Sequence, residues 1–420
     1  MKETGRDNLP GDVEPRRIKA VMVSHAHVDH TGALPYLYIS TGGGSPPPCY
    51  MAKPTSTMTK ILLEDMLRIS PDTLPYEKIE LQNLLKSTQI LKDLENPWQK
   101  LQMSSGNCSF MTVDAGHIPG SLMFVVSIDG KSILYTGDFN TRDTRLVWGA
   151  RTGNIPPLDA VIIESTYATI SHPLRLDVEK EFIDSIKRII GKGGKVLIPA
   201  FGLARSQEIM CVLQTYGVSK KIVIDGMARE ISQLLLRTPT FLRISYNLDK
   251  FQMIKRAKAR SDRINALKQA DIIIAPSGMM KGGTVRFYAE HMLPEAQNGV
   301  FLVSYQVEGT PGRVLLEKHE FTLDDDDVDD EDVVLGPSVD AEDHRVEVNA
   351  DVAQFDFSSH CDGPALIQFL QALKFKDGVT PKIFCIHGDR SNCDALAAAT
   401  MEQVPGSEAV APRMNDDFEI

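Results

Sequence analysis

The segment Ser24–Pro35, SHAHVDHTGALP, constrains this chain more than any other. It places His25, His27, Asp29 and His30 within six residues, directly after the β-branched run KAVMVS (19–24). In extended backbone, residues two apart point to the same side, so His25 and His27 can share one metal ion. The chain then turns, and Asp29 and His30 can face a second ion. A lone histidine is more often a surface or core residue than a ligand. Three histidines and an aspartate at one strand end are hard to explain as packing, because each is an expensive polar group to bury. A metal held by nitrogen and oxygen takes about four ligands, so the rest of the chain has to supply more. His117 in DAGHIPGS, Asp138 at the end of ILYTGD, and His387 after KIFCI are each polar residues in such a setting. A carboxylate at the Asp138 position can bridge two ions. His172, His291, His319 and His344 have no comparable context and are assigned no role.

Short β-branched runs alternate with helical patterns along the chain. SILYTGD (132–138), AVIIEST (160–166), KVLIPA (195–200), KIVID (221–225), DIIIAPS (271–277), VFLVSY (300–305) and KIFCIHG (382–388) read as strands. DVEKEFIDSIKRII reads as a helix capped by Asp177 and stopped by Gly191. This alternation indicates an α/β protein. At 420 residues the chain is long enough for two domains, or for one with a large insertion. No run approaches eighteen apolar residues, which excludes a helical membrane span. The first residues, MKETGRDNLPGDVEPRR, do not read as a secretory signal. Six cysteines without a CxxC pair fit neither a disulfide framework nor a zinc knuckle, so a cytoplasmic location is expected.

The net charge of −11 at first argues against a nucleic-acid partner. Eight of the acids, however, sit together in DDDDVDDED (324–332), and the rest of the chain is close to neutral. That run and its neighbours, about 324–345, read as a solvated loop.

Taken together, the motifs resemble a known family. HAHVDH, the GHIPGS histidine and the YTGD aspartate look like the motifs of the metallo-β-lactamase fold. EST with Glu164, SSH with His360 and IHG with His387 look like the three further motifs of the β-CASP nucleases. PAFGLARSQE (199–208), SGMMKGGTVRFY (277–288) and YQVEGTPGR (305–313) resemble the RNA-cleaving branch. That branch includes the cleavage and polyadenylation specificity factor nuclease, Integrator-type nucleases, their archaeal homologues and ribonuclease J. The resemblance runs from about residue 19 to about residue 395.

The resemblance implies an αββα metallo-β-lactamase domain over 1–168 and 358–420, with an α/β β-CASP domain inserted at 169–357. It implies two zinc ions. One takes His25, His27, His117 and Asp138; the other takes Asp29, His30, the shared Asp138 and His387. Asp29, His360 and Glu164 are implied to be catalytic, with His360 as general acid and Glu164 orienting it and holding it protonated. A histidine at position 387 goes with RNA-processing members, so RNA is the implied substrate, cut to leave a 5′-phosphate and a 3′-hydroxyl.

RNA phosphates need cationic contacts. Arg205, Lys281, Arg286 and Arg313 are the candidates, with Ser358 and Ser359 for a terminal 5′-phosphate. Lys250, Lys255, Arg256, Lys258, Arg260 and Arg263 read as spread around a helix, where a solvated face is an equal reading. Gly282–Gly283 suits close backbone approach or a plain turn. Deletion of the acidic run is expected to leave cleavage at saturating RNA unchanged. The family places two or three strands ahead of HAHVDH, one of them ending in an aspartate that bonds the metal-site histidines. Here about eighteen polar residues precede KAVMVS, and Asp12 is a poor substitute. An uncovered sheet edge there favours association as a homodimer. Three other readings are weighed. A DNA nuclease of the same fold would separate from an RNA nuclease on defined substrates. A small-molecule hydrolase would not need so long an insertion, and a non-catalytic scaffold subunit would have lost ligands that are present here.

Overall fold

The computed structural model describes residues 17–39, 46–69, 71–101, 106–254, 259–323 and 344–420. The acidic run, Asp12, Lys255, Arg256 and Lys258 lie outside these residues. The chain forms two compact units. The first comprises residues up to Ser171, Thr240–Arg243 and Ser359–Ile420; the second comprises His172–Pro239 and Ile244–Ser358.

The first unit has two sheets, each with its own helices. A parallel sheet has the order Val21–Met22, Cys49–Ala52, Thr88–Leu91. The second sheet has seven strands, in the order Glu408–Val410, Lys382–Ile386, Ala160–Glu164, Lys131–Tyr135, Leu122–Ile128, Cys108–Asp114, Asn96–Leu101. Strand alternation sorts its residues by face. Met123 and Val125 join Leu366, Leu370 and Leu396 of the helices Gly363–Ala372 and Arg390–Gln403. Leu122 and Phe124 point the other way and pack with Ala52 and Leu91 of the small sheet. On the outer face of that sheet, Val23 and Met51 pack with Leu63, Leu81 and Leu84 of the helices Lys53–Ile69 and Lys78–Ser87. The layers therefore run helix, sheet, sheet, helix, as expected. What positions the site is the ends of these strands, where the buried ladder gives way to loops.

The second unit is a six-stranded, wholly parallel sheet. Its order is Phe251–Met253, Ile222–Ile224, Ile272–Ala275, Val196–Pro199, Gly299–Leu302, Asp351–Gln354. A parallel sheet covered on both faces reads as unbroken apolar runs. VLIP, IIIA and GVFL are buried at every position. One face holds Leu197, Val223 and Ile273 against Tyr288, Met292 and Leu315. On the other, Phe182, Phe301, Phe355 and Phe357 stack edge to face. The strands Phe321–Leu323 and His344–Val346 pair antiparallel on either side of the acidic segment, so the expected loop of about 324–345 ends before His344.

Several local expectations are corrected. The helix begins at Arg175 with Leu174 as N-cap, so Asp177 lies in the first turn rather than capping it. The helix also runs through Gly191 and is capped by Lys192. Its early start lets Arg175 reach Glu179 one turn on, and Glu208 as well. The basic segment is no single helical face. Lys250 ends a short turn, Leu248–Lys250, and the helix is Ala259–Gln269. Arg263 on it is buried, with Nε donating to Asp225 at 2.7 Å. Gly283, at φ +76°, turns against the Pro276 carbonyl, where a Cβ would come within 2.9 Å.

Candidate metal centre

The histidine segment leaves its sheet at Met22, and His27, in extended backbone, caps the short helix Val28–Thr31. The turn puts His25 and His27 in one group and Asp29 and His30 in another. His117 comes from the loop after Cys108–Asp114, Asp138 from the loop after Lys131–Tyr135, and His387 follows Lys382–Ile386. Four separate strand ends thus converge. Gly137 is needed for this convergence, because a Cβ there would lie 2.6 Å from Ser24 Cβ. Its φ of +53° turns Asp138 inward at a position where a side chain would be strained.

His25 Nε2 and His117 Nε2 each lie 3.1 Å from His27 Nδ1. Asp138 Oδ2 is 3.4 Å from His25 Nε2 and 3.8 Å from His117 Nε2. The same oxygen is 3.3 Å from His30 Nε2. His387 Nε2 is 3.1 Å from His30 Nε2 and 3.3 Å from Asp29 Oδ2. Each foursome, His25–His27–His117–Asp138 and Asp29–His30–Asp138–His387, offers ligand atoms within 4.8 Å of one another. All seven sequence-predicted ligands therefore meet, in two groups that share Asp138.

The chemistry of the donors tests whether a metal fits. Burial holds the His25 and His117 pKa values well below normal, with neighbouring imidazoles adding to the effect. Burial likewise brings His27 down to about 4. These rings are therefore neutral near pH 7. His117 Nδ1 donates to the Ser359 carbonyl at 2.8 Å, which leaves a lone pair on Nε2 facing the group. Ser24 Oγ sits 3.1 Å from His25 Nδ1 and holds that ring in place. Lone pairs on neutral imidazoles facing one another repel unless a cation sits among them. Asp138 Oδ1 is buried without a hydrogen bond, although it lies 3.3 Å from His387 Nδ1. Burial opposes ionisation of Asp138, but the bond to His30 and the surrounding imidazoles hold its pKa far below the carboxylate range. A three-nitrogen, one-carboxylate group beside a two-nitrogen, two-carboxylate group suits divalent ions of the zinc type.

Beside the clusters, His360 Nδ1 is 2.8 Å from Glu164 Oε2. Glu164 Oε1 accepts from the Phe139 N–H at 2.7 Å, and Oε2 also accepts from Thr166 Oγ1 at 2.5 Å. With both oxygens engaged, Glu164 is a poor ligand, although one of its oxygens, Asp138 and His360 fall within ligand range of one another. Burial would lower the His360 pKa; the charge and hydrogen bond of Glu164 outweigh it and raise it. Thr166 also lies 3.3 Å from His387 Nδ1. Sequence reasoning gave no role to Ser24, Thr166 or the Ser359 carbonyl. Thr166 was within reach: it stands two residues after Glu164, where extended chain points to the same side. The carbonyl had no sequence signal at all.

The other candidates are not gathered in this way. Lys281 is exposed, and Arg205 is partly exposed at the start of the helix Arg205–Thr215. Arg313 is tied to Glu317, one turn on. Arg286 is only 7% exposed, so it does not offer its guanidinium at the surface. The Ser358 N–H donates to Asp356 at 2.9 Å. His172, given no role, pairs with Asp356 at 2.7 Å. No helix among the described residues is long and apolar enough to cross a membrane.

Residues 12–162 match the metallo-beta-lactamase superfamily domain, 206–315 the Beta-Casp domain, and 345–412 the Zn-dependent metallo-hydrolase RNA specificity domain. The chain is 32% identical over 419 residues to RNase aCSPSF2 of Saccharolobus solfataricus, covering all of this chain and 78% of that protein. It is 30% identical over 416 residues to the probable RNase MJ4 of Methanocaldococcus jannaschii, covering 96% and 89%. Ribonuclease TTHA0252 of Thermus thermophilus is 27% identical over 437 residues, covering 100% and 92%.

Proposed function

The chain belongs to the β-CASP ribonucleases of the metallo-β-lactamase fold, and on that premise we propose that it is a two-zinc ribonuclease hydrolysing RNA phosphodiester bonds to a 5′-phosphate and a 3′-hydroxyl. The observation that carries this reading is Asp138, with one carboxylate oxygen 3.4 Å from His25 Nε2 and 3.3 Å from His30 Nε2. Zinc ions, if held by the two groups, would supply Lewis acidity toward a phosphoryl oxygen and would lower the pKa of water to about 7. The chain's own residues do the rest. Ser24 and Ser359 hold His25 and His117 with their ligand nitrogens inward. Glu164 raises the His360 pKa and accepts from its Nδ1, so that His360, when protonated, would donate from Nε2 to the departing 3′-oxygen. Thr166 fixes the Glu164 carboxylate against rotation. Arg205, Lys281 and Arg313 are the proposed phosphate contacts; Ser358 and Ser359 are proposed for a terminal 5′-phosphate.

The test is metal analysis combined with cleavage of one sequence offered as 5′-monophosphate RNA, 5′-triphosphate RNA, circular RNA and DNA. Two zinc per chain and RNA products bearing 5′-phosphates are expected. Cleavage of the circle establishes endonuclease action, and its survival beside digestion of the linear forms establishes exonuclease action. Preference for DNA would sink the RNA assignment, and an inert chain with both ions bound would make it a scaffold.

A further inference from the structure

We propose that the loop Thr141–Arg151 of the first unit displays Trp148 as a stacking platform for one unpaired base of RNA. This inference rests on the ribonuclease reading and adds to it a subsite outside the metal ligands. Trp148 is 52% exposed, while Leu146 and Val147 just before it are buried. An indole left so open on an otherwise well-satisfied loop needs a reason, since aromatic surface gains most from burial. The loop is held by its own groups. The Thr144 N–H donates to the Val147 carbonyl, the Val147 N–H to Thr144 Oγ1, and the Gly149 N–H to Asp143. Arg151 Nη1 donates to the carbonyls of Thr141, Gly149 and Ala150. Trp148 is therefore presented on a fixed backbone.

Arg243 completes the platform. Its guanidinium lies 4.7 Å from the Trp148 ring centroid. It is held there by Nη1 donating to the Thr144 carbonyl at 2.6 Å, and by its own N–H donating to the Leu146 carbonyl at 2.8 Å. Arg145 belongs to the same loop, in which Arg142 is paired with Asp362 and Arg151 with Asp143. An open aromatic face among arginines, in a chain of net charge −11, matches the chemistry of single-stranded nucleic acid: π-faces to stack and phosphates to neutralise. The loop is also registered to the metal ligands. A Cβ on Gly116, the residue before His117, would lie 2.6 Å from Ala150 N and 2.8 Å from Gly149 Cα. Arg142 Nη2 donates to Asp362, two residues past His360, at 2.5 Å. Trp98, 45% exposed on the strand Asn96–Leu101, has no such loop or cation among its described contacts and serves as the contrast.

The chain has two tryptophans, so a Trp98→Phe variant reports on Trp148 alone. In that background, with His360→Ala added to slow cleavage, the protein is titrated with a fluorescein-labelled single-stranded RNA, read by anisotropy, and with the unlabelled strand, read by tryptophan emission. Expected are quenching whose midpoint gives the same affinity as the anisotropy titration, no quenching by the same sequence as a duplex, and about tenfold weaker binding for Trp148→Ala. Trp148→Phe is expected to restore most of the affinity, and melting curves check that both variants fold. RNA binding without quenching, with equal affinity in Trp148→Ala, overturns the platform and leaves the ribonuclease reading standing. No RNA binding by any form overturns that reading and the platform with it. A Trp148→Ala protein that instead changes its sedimentation coefficient overturns the platform in favour of contact between copies of the chain.

Discussion

Glu164 Oε2 lies 2.8 Å from His360 Nδ1 although 196 residues separate them in sequence. The carboxylate is buried, accepts from the Phe139 backbone and from Thr166, and has no cation other than His360 among its described partners. A buried carboxylate so placed favours the protonated form of its neighbour.

Glu164→Gln keeps the shape and removes the charge. Because that charge raises the His360 pKa against burial, its loss lowers the pKa, and the alkaline limb of the pH profile of kcat/KM should move to lower pH. His360→Ala should slow cleavage by about 10²–10⁴-fold while both ions remain bound. Loss of metal from His360→Ala would make it a ligand instead.

Asp138→Ala should lower metal occupancy at both groups, since one oxygen serves each. His387→Ala should deplete one group and spare the other. Elemental analysis after dialysis checks both, and full occupancy in Asp138→Ala would end the shared assignment.

Asp159 is a stability residue away from the site. It is buried, accepts from the Ser132 N–H at 2.7 Å, and pairs with Lys376 and Lys131. Burial opposes ionisation, but these partners win and its pKa falls below 3.8. Its stabilisation is therefore complete above 3.8 and is lost as pH falls through the lower folded value. Asp159→Asn should cost about 1–3 kcal/mol at pH 7, with the gap from the parent closing in acid. Urea denaturation at pH 7 and pH 3 measures it.

Asp114 has the opposite sign. Burial pushes it up to about 6, although the Gly116 N–H opposes the shift. The folded state then holds the proton more tightly, so the contribution is favourable at low pH and is lost as pH rises through about 6. Asp114→Asn can still accept from Gly116. Its melting temperature should match the parent near pH 4 and exceed it at pH 8.

Much of this was legible in the sequence because the fold's strongest demands fall on residue types with few alternatives. Seven candidate ligands could be chosen by looking for His or Asp just beyond a strand. The buried parallel strands of the second unit announced themselves as IIIA and VLIP. The antiparallel strands Cys108–Asp114 and Leu122–Ile128 were not read out, and neither was the helix Lys53–Ile69. CSFMTVD and LMFVVSI bury residues on both faces, between helices and a second sheet, so the period-two alternation that marks a strand is blurred. Arg263 and Arg286 looked like surface cations because sequence gives their charge but not their depth. Asp225, which neutralises Arg263, is 38 residues away.

His30 and His387 face each other at 3.1 Å across 357 residues of sequence. His25, His27, His117 and Asp138 all lie within the first 138 residues, although His117 also bonds the Ser359 carbonyl. The other group waits for nearly the whole chain, as does the seven-stranded sheet, whose strand Lys382–Ile386 must slot beside Ala160–Glu164. A chain cut short of His387 therefore lacks a donor of the second group.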